Sequence, residues 1–571
     1  MENVIKDGTL GANVAARDEV AHDKHPPGLY ALFGTEMWER FSFYSMLALF
    51  TLYLRDPVEG FGWTAAQATT LYANYLMFVY ASPLIGGFIA DRFTGYRKAV
   101  MIGGFFFMAG HGLLSIPALW AVYLALTCLV IGNGFFKPNV STMVGNLYPE
   151  GSHLKDRAYN IFYMGINIGA FLAPIVMEIV KSYFGFHAAF AVAAFGMLIS
   201  VGILWRYKSI VEDPNALAER QRSRNEATEK ANTAATAVDA PPSGISDQPS
   251  DERGAPRTAS QSRQDLMNTV PNWKRVVALC VIFAIVIVFW MVFHQNGSTL
   301  TYWADDNTDW RVSGTISNSI NAFWVVTLTF PLIWFWGYLD KRGKEPSTPT
   351  KMAFGMTLTG LSFLVLWYAA TVGENQPPTA QQLAAGEFRV NERVVNNLAA
   401  QGVPRDVLDK IVAAKDADGK NLIYGVKFSP KEDTATKQMI SGEQQLMTAL
   451  NTVAPGQAVP HREAFLNNSF LFRVSPFWLI LAYAIVTLGE LMLSPMGLSL
   501  VSKVAPINLR GLLMGGWFVA TAIGNKLTQI GVFWDIWLQS TFFLVLSGMA
   551  LVMAVVLFLL LKPLKRAMPG V

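Results

Sequence analysis

Runs of about twenty or more apolar residues recur along this chain with almost no ionisable side chain inside them, the length a helix needs to cross a bilayer core. The charges collect elsewhere, mainly in residues 207–273 and 374–473. Only 15% of the 571 residues are charged and 52% are hydrophobic, where an average soluble chain is about 25% charged. This excludes a single soluble domain, and with it disordered, collagenous and disulfide-built chains. Both cysteines, Cys128 and Cys280, lie within apolar runs and read as small core residues. The net charge of +4 carries no dense basic patch, so nucleic acid is not an expected partner.

The apolar runs give twelve spans. Six come first, at 30–54, 68–90, 98–117, 119–143, 157–181 and 187–206. Six more follow at 274–300, 314–338, 351–373, 475–500, 511–534 and 540–562, with Pro117 marking the thinnest boundary. All are expected to be helices, because backbone exposed to lipid must satisfy its own hydrogen bonds. Lys and Arg in the short loops set the orientation. Arg92, Arg97, Lys98, Lys155, Arg157, Lys341, Arg342, Lys344, Lys351 and Arg510 fall on one side, and Arg55, Lys181 and Arg311 on the other. The richer side is cytosolic, which places both termini inside a multi-pass protein of the inner (cytoplasmic) cell membrane. Residues 1–29 read as a polar cytosolic tail rather than a cleaved signal, and 563–571 as a second tail.

Two polar stretches interrupt the pattern. The Pro-, Ser- and Gly-rich stretch 207–273 is a flexible cytosolic linker. The stretch 374–473 falls outside the cell, between the ninth and tenth spans. Its alternating pieces "EFRVNERVV" and "NLIYGVKFS" and a helical pattern at 404–415 predict a small ordered insert. The chain is therefore an all-α polytopic membrane protein of two six-helix bundles, 30–206 and 274–373 with 474–562, the plan of the major facilitator fold. The run "GGFIADRFTGYRKAV", Gly86–Val100, resembles that superfamily's inner-loop signature, with a weaker echo at Trp336–Lys344. Glycine there lets two helices approach, and Asp91 is expected to cap a neighbouring helix.

Charges inside spans are functional candidates by default, since each costs about 2.5–3.5 kcal/mol on the insertion scale. The first span carries Glu36, Glu39, Arg40 and Tyr44, which at 3.6 residues per turn fall within an arc of about 140° on one helix face. Two acids against one Arg leave a surplus carboxylate, and Lys137, just before Pro138, is the expected second cation. In the second half, Glu490 stands in "TLGELMLSPMG" without a cation near it in sequence. Such a carboxylate is a proton carrier or a binder of amines.

These residues carry a family resemblance. "EMWERFSFY" resembles the Glu-x-x-Glu-Arg-Phe-x-x-Tyr motif of the proton-dependent oligopeptide transporter family, and "FYMGINIGAFLAP" its Phe-Tyr-x-x-Ile-Asn signature. "FFKPNVS", "GELMLSPMGLSLVSK" and "MGGWFVATAIGN" are similar to its fourth, tenth and eleventh helices. The resemblance implies a symporter of protons and di- or tripeptides with no cofactor and no metal. Arg40, Lys137 and Tyr44 would then receive the peptide carboxylate, while Glu36 and Glu39 tie protonation to those cations. Glu490, Asn167 and Asn321 would hold the amino terminus, with Glu490 also in the proton path. Tyr80 and Tyr163 would be cavity tyrosines, and Trp290, Phe293, Ser494 and Trp517 the walls of the side-chain pocket.

Three departures stand out. No apolar run within 207–273 supplies the two extra helices of many bacterial relatives, and Ala73 replaces a histidine of animal members. His294 stands where the seventh helix of relatives often carries an acid. That removes the usual ion pair with Arg40, so the outer side should close by other contacts, with His294 hydrogen-bonded to Gln295 or Asn296. The alternative reading is a carrier of another small anion such as nitrate, against which Glu490 argues. No span carries an HExxH pair, an aspartate dyad or a Ser–His set, so an enzyme is not expected.

Overall fold

The computed structural model describes residues 25–148, 154–211, 269–433, 437–506 and 509–569. Most of the expected linker and of the first tail lies outside the described residues. Helix α1 runs Pro27–Arg55, with proline in the first turn, where its missing N–H costs nothing. A Thr64–Gln67 capping box starts α2, Ala65–Ile89. Helices α3, Tyr96–Leu114, and α4, Leu119–Asn146, follow on either side of the Pro117 break. The helical stretch Leu154–Arg206 bends at Gly185, whose φ of 82° disfavours any other residue, and divides into α5, 154–184, and α6, 186–206.

In the second half, α7, Asn272–Phe293, passes through a tight turn at His294–Gly297 into α8, Thr299–Asp306, and together they form one candidate membrane span. Helices α9, Ser317–Lys341, and α10, Thr348–Glu374, lead to the insert. The insert contains α11, Ala380–Ala385, α12, Glu392–Ala400, and α13, Arg405–Ala413, and then α14, Gly442–Val453, and α15, Arg462–Ser469. The chain returns through α16, Pro476–Val504, α17, Arg510–Leu527, and α18, Gln539–Ala567.

Within the first half α1 packs along the 154–206 stretch, and α4 lies against α2 and α3. Within the second, α10 is flanked by α16 and α18, and α17 lies on α7. The halves meet where α2 faces α17 and where the 154–206 stretch faces α9. Gly86 explains one close crossing: a Cβ there would lie 2.0 Å from the carbonyl oxygen of Gly134. Eight stretches among the described residues are long and apolar enough to cross a membrane, and one of them, Arg157–Arg206, spans both α5 and α6.

Three local expectations are corrected. Asp91 caps nothing among the described residues; Ala90–Thr94 instead forms a wide turn that leaves it exposed. Cys280 is exposed rather than a core residue, and Cys128 is half-buried. A membrane helix is as apolar on its lipid face as on its inner face, so an apolar run does not say which way a side chain points. In the insert, "NERVV" is helical: Asn391 accepts from the Val394 N–H at 3.1 Å and starts α12.

The alternating pieces of the insert contribute only two-residue strands. β1, Phe388–Arg389, pairs antiparallel with β2, Lys427–Phe428, and β3, Lys431–Glu432, with β4, Met439–Ile440. The insert has its own hydrophobic core around Phe388, Leu398, Leu408, Ile411, Leu446 and Phe465. It grips both halves. Lys420 donates to the carbonyls of Pro57 and Val58 at 3.1 and 3.0 Å, and Asn421 to that of Gly62 at 3.0 Å. On the other half, Arg389 reaches Asp306 at 2.7 Å and Lys427 reaches Asp305 at 3.1 Å.

Candidate functional site

The face of α1 expected to be polar is buried between helices. Arg40 Nη2 donates to Glu39 Oε1 at 2.5 Å and its Nε to Glu39 Oε2. The same Nε stands 3.5 Å from Glu36 Oε1, one helical turn back. All three side chains are almost fully buried, a situation that demands pairing. One atom escapes it: Glu36 Oε2 has no hydrogen-bond partner among the described residues. Lys137, on α4, lies within electrostatic reach of Glu36, Glu39 and Arg40. Arg40 also covers the ring of Phe43 at 4.7 Å, and Tyr44 packs edge-on to Phe43.

An aromatic column crosses from this cluster to the other half. Lys137 Nζ stands 5.2 Å from the centre of the Tyr80 ring, and Tyr80 lies 5.6 Å from His294. His294 stacks on Trp290 at 4.9 Å and 16°, and Phe293 meets Trp290 edge-on at 5.7 Å. The turn after α7 thus sets His294 against a tyrosine and an indole, and its Nδ1 has no partner among the described residues. Its expected hydrogen bond to Gln295 or Asn296 is not made. Gln295 is committed elsewhere, donating to the carbonyls of Met291 and Thr528 and accepting from Thr299.

Glu490 on α16 provides the second polar focus. Its Oε2 accepts from Asn321 Nδ2 on α9 at 3.1 Å, and the same amide reaches Thr487 at 3.0 Å. No cation among the described residues lies within ion-pair distance of Glu490. From the first half, Tyr44, Tyr80 and Tyr163 are all within electrostatic reach of it. The two foci therefore face one another across the space between the halves.

Other expected site residues are less involved. Asn167 donates to the Tyr163 carbonyl of its own helix at 2.9 Å. Trp517 is buried in its own half, packed on Gly497 and edge-on to Phe283. Ser494 is half-buried and takes no part in the contacts described here.

The space is shut on the insert side. Ser313 donates to Glu178 at 2.5 Å, and Lys181 reaches Glu178 at 2.8 Å and Thr315 at 3.1 Å. Thr51 donates to the Gly297 carbonyl at 3.0 Å, and Lys526 donates to Asn74. Asp306 is shared by Arg389 of the insert and, at 3.6 Å, by Arg55 at the end of α1. Each of these cross-half contacts lies on that side, while Tyr163 remains 43% exposed between the halves. Glu178, Asp306 and Lys526 are not among the residues singled out from the sequence. The signal that would have found Glu178 and Lys526 is the one that singles out Glu36, a charge inside an apolar run; Asp306 lies just past the end of one.

A bundle of apolar helices in two halves, with buried charge clusters facing each other between them, defines a membrane transporter. Comparison with known proteins sharpens this. The POT family model matches residues 97–415 and 445–533, and the chain belongs to that family, whose members are transporters and not enzymes. It is 27% identical to an uncharacterized transporter, YclF, of Bacillus subtilis (strain 168), over 96% of both chains. It is 25% identical to a di-/tripeptide transporter of Lactococcus lactis subsp. lactis (strain IL1403), over 96% of this chain and 97% of that one. Among solved structures, a peptide transporter POT in complex with sulfate superposes with a TM-score of 0.66 at 25% identity, covering 96% of both chains.

Proposed function

We propose that this protein imports di- and tripeptides into the cell by proton symport, through alternating access of a single site between its two halves. The observation that carries the reading is the asymmetry of that site: Arg40 clasped by two buried carboxylates with Lys137 beside it, against a cation-free Glu490 across the space. A peptide zwitterion needs one cationic and one anionic end, separated by walls tolerant of different side chains. Relatives named as di-/tripeptide transporters support that substrate class. They give no support to nitrate or another small anion, which would have no use for Glu490.

Twelve crossings with both termini cytosolic, in the inner membrane, put the insert outside the cell. The arrangement is then closed to the outside and open to the cytosol. Protonation from outside, at Glu36 or Glu39, releases Arg40 and Lys137, which with Tyr44 take the peptide carboxylate. Glu36 Oε2, lacking a partner among the described residues, is the open position for that proton. Glu490, Asn321 and Asn167 take the amino terminus, and Tyr80, Tyr163, Trp290, Phe293, Ser494 and Trp517 wall the side-chain space. Loss of the proton to the cytosol restores the ion pairs and expels the peptide.

The test is uptake of labelled dialanine by proteoliposomes under an imposed pH gradient and voltage. Gradient-dependent accumulation is the expected result; no uptake, or uptake indifferent to the gradient, would refute the reading.

A further inference from the structure

At the end of the first half opposite the insert, α3 and α6 frame a groove of about 320 Å³. Its lining grades from charge to hydrocarbon. Arg97 and Lys98 stand in the first turn of α3, and Lys208 follows α6 by two residues. One turn further into the bundle the lining is Met101, Ile102 and Leu204. Among the described residues no acidic side chain lines the groove, and the three cations form no ion pair. Arg97 donates to the Lys208 carbonyl at 3.0 Å, tying the two helix ends together.

Trp205 completes the lining. It is 62% exposed, and Lys208 Nζ lies 5.5 Å from its ring. Exposed indoles of this kind belong at the boundary between headgroups and acyl chains. From there, exposed Phe105 continues the Met101 face of α3, and exposed Leu198 continues the Trp205 face of α6.

Three cations at the boundary, without a carboxylate partner among the described residues and above an apolar wall that leads into the hydrocarbon, complement one kind of molecule. We propose that this groove binds an anionic phospholipid, its phosphate against Arg97, Lys98 and Lys208 and its acyl chains along α3 and α6. Basic pockets between membrane helices are a known physical solution for such headgroups. Inorganic phosphate is also anionic but gains nothing from the apolar wall. The inference needs the chain to lie in a bilayer and is independent of what it transports.

The test is native mass spectrometry of the full chain, released from vesicles of equal parts phosphatidylglycerol and phosphatidylcholine. The wild type should retain phosphatidylglycerol in preference. Each Lys or Arg near an anionic surface is worth about fivefold, so Arg97→Gln, Lys98→Gln and Lys208→Gln together should lower retention on the order of a hundredfold. Lys208 lies beyond the helix end, so Lys208→Gln alone is a variant that should fold and still lose about fivefold. Lys341→Gln with Arg342→Gln, on the basic loop of the other half, should leave retention unchanged. Four results would overturn the proposal: no lipid preference in the wild type, full retention in Lys208→Gln, equal loss in the loop variant, or displacement of the lipid by inorganic phosphate.

Discussion

The two halves solve the problem of burying charge in opposite ways. The first half concentrates it: Glu36, Glu39, Arg40 and Lys137 compensate one another across two helices, so that moving one proton or one carboxylate changes every pairing. The second half isolates it: among the described residues Glu490 is held by one amide, from Asn321, and by no cation. A dense cluster has several nearly equivalent arrangements and is suited to switching. A single carboxylate in an apolar half has one strong demand, for a cation or a proton, and is suited to recognition. On this difference the proposed mechanism gives coupling to the first half and capture of the amino terminus to the second.

Breaking the recognition side should produce the largest effect. Glu490→Gln keeps the shape and removes the charge, so uptake of free dipeptide should fall on the order of a hundredfold, as a charge-assisted bond worth about 1.5–3 kcal/mol implies at its upper end. N-acetylated dipeptide, which lacks the ammonium, should be a poor substrate even for the wild type. Radiotracer uptake decides this, and equal transport of the acetylated and free peptides would reverse the assignment.

On the coupling side the effect should be selective rather than total. Glu36→Gln and Glu39→Gln are each expected to abolish pH-driven accumulation while sparing counterflow, the exchange of peptide for peptide. Measuring both in the same vesicles separates coupling from binding, and a parallel loss of the two would remove the contrast between the halves.

A third prediction concerns the clamp between the insert and the bundle. Burial alone would push the Lys427 ammonium down, but the carboxylates of Asp305, Asp306 and Glu387 around it outweigh burial and hold it above the ordinary lysine range. A cation so raised contributes its full stabilisation below the unfolded lysine value of about 10.4, and loses it only as pH climbs through the higher folded value. Asp306 keeps Arg389 and Arg55, and Glu387 keeps Arg473, but Lys427→Gln takes from Asp305 its cation and should cost about 3 kcal/mol of stability. Thermal melts in detergent should show a lower Tm throughout the neutral range, with the gap from the wild type persisting to pH of about 10.

The smallest effect is expected at His294. It stacks on Trp290 and faces Tyr80, and among the described residues no carboxylate bonds it. His294→Gln should keep most pH-driven uptake, with a modest change in its pH profile. Loss of driven uptake with counterflow intact would instead move part of the coupling into the second half.

How much of this was legible in the chain follows from what each feature costs. Glu36, Glu39, Arg40, Lys137 and Glu490 announce themselves because a charge in an apolar run is expensive anywhere in the fold. The bend between α5 and α6 and the break at Pro117 are equally local, set by backbone chemistry at Gly185 and at the proline. The insert was readable as ordered, and its helix at Arg405–Ala413 by its periodicity. Its alternating pieces do carry β1 and β2, but each strand is only two residues long, and over "NERVV" alternation loses to the cap that Asn391 provides.

By itself, then, the sequence determined that the chain is a bundle of membrane helices in two halves with two polar foci, because insertion energies and helix geometry depend on composition and spacing alone. Tertiary structure decided the pairing. Which carboxylate clasps Arg40, that Gln295 spends its bonds away from His294, and that Asp306 joins α1 to the insert are outcomes of contacts between distant segments. It also decided which apolar faces turn outward, since lipid and protein interior are equally welcoming to Cys280 and only packing distinguishes them.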